Sequence, residues 1–343
     1  MRKFSLLLAA VGMIFSACES GVEDVYGGDG GDLGSRGAQV EQSDAAADKA
    51  SSDIAPNTIY YTTSDGKALS PNSAAADVFG ATLLSNEYAN GQGVMTFDNP
   101  VTLVGDRAFE KCSSLTGIVI PEGVTSIGED AFFDCTALAS VALPDGLVEI
   151  KRGAFRYSEA LQSVIIPNGV TTIGDYAFCF CSSLVSATLP EGVKVIGGNA
   201  FRACTSLKNI TLPLSVTSIG DSAFMGCTSL TDMTVTWVQL VEIDVLHIGE
   251  EAFSGCSSLI SVTIPARVTE VGWAAFMGCT SLKTVYCKVV TPPSNGDEMF
   301  ENNAEGRKIY VPAASVEAYK AANGWQKYAA DIVGYDFSRV NNK

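Results

Sequence analysis

The side chains with reactive chemistry in this 343-residue chain are ten cysteines, a single histidine and a regularly spaced set of carboxylates. Because His247 is the only imidazole, any Ser/His/Asp or Cys/His catalytic set would have to use it, and one chain cannot supply a multi-histidine zinc site. The cysteines also lack the C-x-x-C spacing of metal sites; Cys179 and Cys181 form only a C-x-C pair.

Carboxylates recur directly after strand-ending prolines, at Glu122, Asp145 and Glu191. Paired carboxylates can hydrolyse glycosides. Here, however, they occupy one position of a sequence repeat, so we expect them on a solvated edge. We therefore predict that the protein is not an enzyme and that it carries no metal or other cofactor.

The net charge argues against a nucleic-acid partner. The chain has 38 acidic and 22 basic residues, a formal charge of −16, whereas binding to phosphates needs a basic face. Hydrophobic residues make up 47% of the chain, which is enough to bury a sizeable core. The composition thus predicts a folded protein that does not bind nucleic acid.

The first residues predict export and attachment to a membrane. Arg2 and Lys3 precede an apolar run over residues 4–17, which is too short to span a bilayer but suits a signal peptide. The run ends directly before Cys18 and resembles the lipobox of bacterial lipoproteins, although Phe15 stands where Leu is usual. The resemblance implies that Cys18 is lipidated and that the lipid is the only contact with the membrane. An ordinary secretory signal with an incidental cysteine is the alternative.

An acidic segment follows the cysteine. Residues 19–55 hold nine acidic and two basic residues and few large apolar ones, so this segment is expected to stay unfolded. Together with Cys18 it forms a predicted linker over residues 18–55. In lipoproteins of this kind, acidic residues just after the anchor favour export to the outer surface. We expect an outer-membrane lipoprotein exposed at the bacterial cell surface.

A 23-residue period organises the rest of the chain. An Ala-Phe pair recurs eight times at intervals of 23, with a single interval of 29, its phenylalanines being Phe109, Phe132, Phe155, Phe178, Phe201, Phe224, Phe253 and Phe276. Three residues later comes a second column, formed by Cys112, Cys135, Ser158, Cys181, Cys204, Cys227, Cys256 and Cys279. Most repeats also carry an apolar-x-apolar-Pro segment and a V-x-x-I-G step.

These features predict a solenoid. The alternating segment predicts a short strand that the proline ends, and the segment around Ala-Phe suits a helical or 3₁₀ turn. One repeat has a single apolar stripe and cannot stand alone, so the repeats must stack. The fold class is thus a β-rich α/β solenoid.

The repeat resembles that of the BspA-like leucine-rich-repeat surface proteins, C-x-x-L-x-x-V-x-I-P-x-x-V-x-x-I-G-x-x-A-F. It departs from the general leucine-rich repeat, since glycine replaces the usual Asn at Gly123 and its equivalents. The resemblance implies a right-handed coil with a parallel β-sheet, a surface location and a role in adhesion. We place an N-terminal cap at 56–104, eight repeats at 105–288 and a degenerate repeat with a C-terminal cap at 289–343.

The caps carry their own signals. Residues 59–67 predict a hairpin with Asp65-Gly66 as its turn, and residues 95–97, which lie 23 before a repeat strand, predict a cap turn in register. Residues 299–312 predict a degraded ninth repeat. Residues 314–331, which include Trp325, predict a terminal helix.

The cysteine column predicts buried thiols rather than disulfides. Stacked side chains point the same way, which makes disulfide geometry hard to reach, and Ser158 cannot be half of a disulfide. Serine can, however, replace a small buried hydrogen-bond donor. Most of these thiols should therefore titrate as free after denaturation of the oxidised protein.

The candidate binding residues are the solvent-facing strand positions and an irregular repeat. The flat strand face has few charges and a single aromatic ring, that of Tyr286, so it lacks the aromatic cluster of a tight glycan platform. It is either a docking surface, as in other repeat proteins, or simply a solvated strand face. The six-residue insertion between Leu230 and Gly249 is either a binding loop or a tolerated bulge. The candidate residues are Thr188, Thr211, Thr234, Thr263, Tyr286, Trp237 and His247.

These residues lead to a hypothesis of function. We expect a monomeric surface adhesin whose partner is an extracellular protein or glycan of a host or a neighbouring cell. An envelope protein that captures glycans, or that has a purely structural role, is the alternative.

Overall fold

The computed structural model describes residues 54–72, 78–235 and 246–338. The predicted signal peptide, Cys18, most of the predicted linker and Trp237 lie outside these residues. Within them, short strands dominate and a single short helix, α1 (Val316–Ala321), lies near the C-terminus. The strands are β1 (Thr58–Thr63), β2 (Leu83–Ala89), β3 (Gln92–Phe97), β4 (Leu103–Val104), β5 (Leu115–Val119), β6 (Ser126–Ile127), β7 (Ser140–Ala142), β8 (Glu149–Ile150), β9 (Ser163–Ile165), β10 (Thr172–Ile173), β11 (Ser186–Thr188), β12 (Val195–Ile196), β13 (Asn209–Leu212), β14 (Ser218–Ile219), β15 (Asp232–Val235), β16 (Leu246–Ile248), β17 (Ser261–Ile264), β18 (Val268–Val271), β19 (Thr284–Cys287), β20 (Ser294–Asn295), β21 (Lys308–Pro312) and β22 (Ile332–Tyr335).

The repeats stack as a parallel solenoid of about nine turns, which confirms the predicted fold class. One side of the coil, which we call the long-strand sheet, consists of three hydrogen-bonded sheets side by side. They are formed by β5 and β7 with the cap strands, by β9, β11, β13 and β15, and by β17, β19, β21 and β22. Within each, the strands of successive repeats pair in parallel, for example Ser186 with Asn209 and Ala187 with Ile210. Apolar residues at alternate positions of these strands point into the core, as the period-two pattern predicts.

A second side is the short-strand sheet, in which nine strands run in the order β20-β18-β16-β14-β12-β10-β8-β6-β4. It is built from the V-x-x-I-G steps, and pairs such as Ile173 with Ile196 keep the register. The glycine that ends most of these steps fits closely under the neighbouring turn. A Cβ on Gly174 would lie 2.6 Å from the carbonyl carbon of Lys151. That contact explains why glycine recurs at this position.

The third side, which we call the turn side, consists of the segments around Ala-Phe. Its backbone forms tight turns, such as Cys135 N–H to Phe132 O at 3.4 Å, and it also donates across repeats, as from Phe132 N–H to Ala154 O at 2.7 Å. Two residues in each full repeat have a left-handed backbone, for example Asp130 (φ 52°) and Asp134 (φ 57°). The predicted helical or 3₁₀ segments are therefore separate turns, because a left-handed residue interrupts each one.

The phenylalanines form a continuous stack along the core. From Phe109 to Phe300, neighbouring ring centroids lie 5.0–5.6 Å apart and the rings are within 14° of parallel. Phe300, from the predicted ninth repeat, extends the stack of the eight regular ones. Each ring therefore packs against the next repeat, which couples the repeats to one another.

The cysteine column is a ladder of hydrogen-bond donors. Cys204 Sγ donates to Phe178 O at 3.2 Å, and Ser158 Oγ occupies the same place, donating to Phe132 O at 3.1 Å. At the C-terminal end Asn303 Nδ2 takes over, at 2.8 Å from Phe276 O. All nine cysteines of the described residues are free thiols, as predicted. The column therefore satisfies a buried carbonyl in each repeat.

The N-terminal cap contains a hairpin, but not where the sequence analysis placed it. Strand β1 is followed by a turn at Asp65-Gly66 and then by no partner strand. It lies instead between β3 and β5, antiparallel to both. The hairpin joins β2 to β3 through Asn90 (φ 52°) and Gly91 (φ 80°), whose positive φ values match a type I′ turn.

The register predicted for residues 95–97 is also wrong, because β3 is an antiparallel strand separated from the first repeat by β1. The spacing of 23 residues does not make this segment a turn of the solenoid.

The C-terminal cap is more irregular than the predicted helix over 314–331. The helix α1 has six residues, flanked by 3₁₀ turns, and β22 then continues the long-strand sheet. Trp325 is buried after the helix and donates from Nε1 to Pro293 O at 3.1 Å. Arg307 is buried and holds the cap together through Phe300 O (2.6 Å) and an ion pair with Asp331 (2.6 Å).

Candidate binding surface

Four of the predicted threonine and tyrosine positions form one column on the long-strand sheet. Thr188 and Thr211 are exposed on β11 and β13, while Thr263 and Tyr286 are half-buried neighbours on β17 and β19. Thr234 continues the column through its backbone, which pairs with Thr211. The structure thus places these candidates on a single face.

The aromatic end of this face was missed by the sequence analysis, which found Tyr286 alone. Tyr310 pairs with Tyr286 across β21 and β19, and their rings stack at 5.2 Å and 20°. Tyr335 on β22 packs edge-on against both, with ring centroids 5.6 and 5.5 Å away, and Phe337 follows at 4.8 Å. We call these four residues the tyrosine cluster.

The cluster has only moderate contact with solvent, since all four side chains are half-buried. Burial, followed by the neighbouring Tyr335 and Tyr310 hydroxyls, raises the pKa of Tyr286. The phenol is therefore neutral at physiological pH and can both donate and accept a hydrogen bond. The cluster offers ring surface and neutral hydroxyls, which suit carbohydrates and protein side chains alike.

His247 lies apart from the threonine column. It is half-exposed on β16 of the short-strand sheet, with Nδ1 3.5 Å from Glu270 Oε2. His247 and the threonine column therefore do not form one site. Trp237 lies outside the described residues. Among these residues no group of three His, Cys, Asp or Glu side chains is placed to hold a metal ion.

Burial also makes the cysteines poor nucleophiles. It raises the pKa of the Cys227 thiol to about 12 and that of Cys112 to about 11. Thiolates are the reactive form of cysteine, so these thiols act as structural hydrogen-bond donors. The helix of the described region is too short to cross a membrane.

The comparisons with known proteins agree with this architecture. The family model of the BspA type leucine rich repeat region matches six copies, over residues 102–231 and 233–322. No curated protein matches the chain.

Three solved structures illustrate the likeness. A leucine-rich repeat protein of T. pallidum is 37% identical over 47% of this chain and 73% of its own, with a TM-score of 0.43. One from Bacteroides ovatus is 23% identical, covering 73% of this chain and 90% of its own, with a TM-score of 0.30. A leucine rich cell surface protein from Faecalibacterium prausnitzii is 19% identical, covering 80% and 96%, with a TM-score of 0.28.

The family model matches well over half of the chain, and the matched residues cover the regular repeats of the solenoid. The chain therefore belongs to the BspA-type leucine-rich repeat family.

Proposed function

We propose that the protein is a lipid-anchored adhesin of the bacterial surface that binds an extracellular protein or glycan through its long-strand sheet. BspA-type leucine-rich repeat proteins generally mediate surface binding or adhesion, are typically surface-associated and are typically not enzymes. The finer parts of the proposal are the anchor, the surface that binds and the class of ligand.

The observation that carries the proposal is the tyrosine cluster at the end of the threonine column. A solvated strand face needs only small polar side chains such as Thr188 and Thr211. Two stacked tyrosines adjacent in register and a third packed edge-on against them exceed that need and place apolar area at the surface. Tyrosine at such a position can anchor a protein or carbohydrate partner.

The experiment compares two faces of the same solenoid. The chain from residue 19 onward is tested on immobilised extracellular-matrix proteins and on a glycan array. We expect the double variant Tyr310→Ala plus Tyr335→Ala to lose at least tenfold in affinity for the ligand found, and Thr211→Arg plus Thr234→Arg to lose binding by steric blockage. The matched control is Thr171→Arg, an exposed threonine beside the short-strand sheet.

The outcomes separate the alternatives. Equal affinity of both double variants and the control would move the site away from the long-strand sheet. A ligand that is taken into the cell rather than retained at its surface would favour the alternative of glycan capture.

The anchor is tested separately. Metabolic labelling with a fatty-acid analogue should mark the wild-type chain and not Cys18→Ser. Protease shaving of intact cells should remove the solenoid if it faces outward. A chain that is labelled but resists shaving would support the lipid anchor and would indicate that the solenoid faces the periplasm.

A further inference from the structure

A second cluster of rings lies on the turn side of repeats 2–4. The guanidinium carbon of Arg156 lies 5.0 Å from the ring centroid of Tyr157, 5.2 Å from that of Tyr176 and 5.7 Å from that of Phe133. Tyr157 in turn stacks on Phe180 at 4.9 Å and 14°. We call these five residues the arginine patch. All of them are half-buried, so their outer atoms remain accessible.

Three of the four rings of the arginine patch belong to residues with a left-handed backbone. Tyr157, Phe180 and Tyr176 have left-handed φ values of 62°, 62° and 58°. Tyr157 and Phe180 occupy the same position of successive repeats, and in repeat 6 that position is Gly226. A left-handed backbone costs a residue other than glycine about 1–2 kcal/mol. Aromatic side chains thus occupy positions that the same fold fills with glycine in other repeats.

A left-handed residue recurs at these positions in every repeat, so what is particular to this region is the choice of aromatic side chains. Burial does not explain them, because the phenylalanine stack already fills the core beneath. Three of the rings instead face the guanidinium of Arg156, a geometry that orients it by cation–π contact, and Tyr176 also faces Arg152 at 5.2 Å.

Arg156 is an arginine whose guanidinium can still donate hydrogen bonds to a ligand. Among the described residues no carboxylate lies within 4.0 Å of its nitrogens, and its Nε has no hydrogen-bond partner. Asp130 acts on it only at longer range. By contrast, Arg152 is paired with Glu129 at 3.1 Å. Because its Nε is buried, the groups of Arg156 that can donate to an incoming carboxylate are the Nη N–H groups.

The backbone around the arginine patch is already used. Tyr157 N–H donates to Cys179 O at 2.9 Å, Phe180 N–H to Arg202 O at 2.8 Å and Tyr176 N–H to Gly198 O at 2.9 Å. A peptide could not add itself as a strand here, because these donors are taken. Recognition must rely on ring faces, two phenol hydroxyls and the guanidinium.

We propose that the arginine patch binds a saccharide bearing a single carboxylate, such as a sialic or uronic acid at the end of a glycan. The carboxylate would accept two hydrogen bonds from Arg156, and the apolar face of the sugar would pack on Tyr157 or Phe180. A polyanion is disfavoured, because the chain carries a net charge of −16. This site lies on a different side of the solenoid from the tyrosine cluster and does not depend on it.

The test measures binding of sialyllactose, glucuronic acid, neutral lactose, a heparin oligosaccharide and an acidic peptide to the chain from residue 19 onward. We expect the two carboxylated sugars to bind at least tenfold more tightly than lactose. The variant Arg156→Gln should remove this preference, and Tyr157→Gly plus Phe180→Gly should weaken binding of all sugars.

Two matched controls keep the result specific. Arg107→Gln removes an exposed arginine of the turn side that pairs only with Glu110 (3.9 Å), and Trp273→Ala removes a ring that is 39% exposed in the eighth repeat. Both should change affinity less than twofold, and circular dichroism should show every variant folded.

Three outcomes would overturn the proposal: equal binding of lactose and sialyllactose, stronger binding of heparin or of the acidic peptide, or an equal effect of Arg107→Gln and Arg156→Gln. Retention of sialyllactose binding by Tyr310→Ala plus Tyr335→Ala would support this site whether or not the long-strand sheet proves to be an adhesive surface.

Discussion

The turn side of repeats 2–4 and that of repeats 6–8 share a backbone but not a surface. Tyr157 and Gly226 occupy equivalent left-handed positions three repeats apart. In the first region rings and arginines cover the turns, whereas in the second the equivalent turns carry Gly226, Gly255 and Gly278.

The difference shows that one set of repeat positions specifies the fold and another set specifies the surface. The stacked phenylalanines and the cysteine ladder run through both regions almost unchanged. The outer positions can therefore vary without loss of the fold, and their variation is available for binding. The following predictions test this separation, from the largest expected effect to the smallest.

Alkaline pH should destabilise both regions together. Burial raises the pKa of the Cys135 and Cys181 thiols in repeats 2–4, and it raises that of Cys227 in repeat 6 to about 12, above the roughly 8.5 of a free thiol. The stabilising contribution is complete below about pH 8.5 and is lost as the pH rises toward 11–12, because the unfolded chain ionises first. Each fully buried thiol should cost on the order of 1–3 kcal/mol by pH 11.

Urea titrations from pH 7 to 11 check this prediction. An unfolding midpoint that stays constant to pH 11 would contradict the assignment of the thiols as buried donors.

Truncation of the phenylalanine stack should be equally costly in either region. Phe155→Ala and Phe253→Ala each remove a fully buried ring from the stack, and we expect each to lower the free energy of unfolding by about 3–5 kcal/mol. Chemical denaturation followed by circular dichroism measures both. A loss below 1 kcal/mol in one region would mean that the core is not shared.

The donor ladder should tolerate exchange between sulfur and oxygen. Ser158→Cys restores the residue type of the other repeats and should change the free energy of unfolding by less than about 1 kcal/mol. Ser158→Ala removes the shorter of the two hydrogen bonds to Phe132 O, the other coming from Cys135 N–H, and should cost about 0.5–1.5 kcal/mol. Equal stability of the two variants would show that the hydrogen bond contributes nothing.

The smallest effect concerns the left-handed positions. Gly226→Ala has room for its Cβ, whose nearest neighbour is 3.9 Å away, so it should lose only the cost of a left-handed alanine, about 1 kcal/mol. Tyr157→Gly relieves that cost but adds chain entropy to the unfolded state, and its net effect should be within about 1 kcal/mol. A loss of several kcal/mol for Tyr157→Gly would make its ring structural rather than available for binding.

The regular repeats could be predicted from the sequence because one spacing fixes the stacking of phenylalanine, cysteine and strand together. The N-terminal hairpin was misplaced because Asp65-Gly66 is a strong local turn signal, while the partner of β1 lies far along the chain, in β3 and β5. Local signals do not specify such long-range antiparallel pairing.

The binding residues were harder to foresee. Tyr310 lies in the degenerate repeat and Tyr335 beyond it, so the period gave no reason to align them with Tyr286. The contacts of Arg156 join three repeats and positions before and after the phenylalanine. A column-by-column comparison of the sequence does not reveal them. Only the fold brings these residues together, so the surfaces that they form are visible in the structure and not in the sequence.

The antiparallel direction of β1 also has a consequence for assembly. Repeats that stack head to tail do not form a closed assembly. Two molecules whose terminal repeats were uncovered could therefore stack on one another and form a filament. Strand β1 reverses the hydrogen-bonding polarity at the first repeat, and a repeat of a second molecule has no matching partner there. We therefore expect the cap to oppose end-to-end addition of a second molecule at this edge of the long-strand sheet.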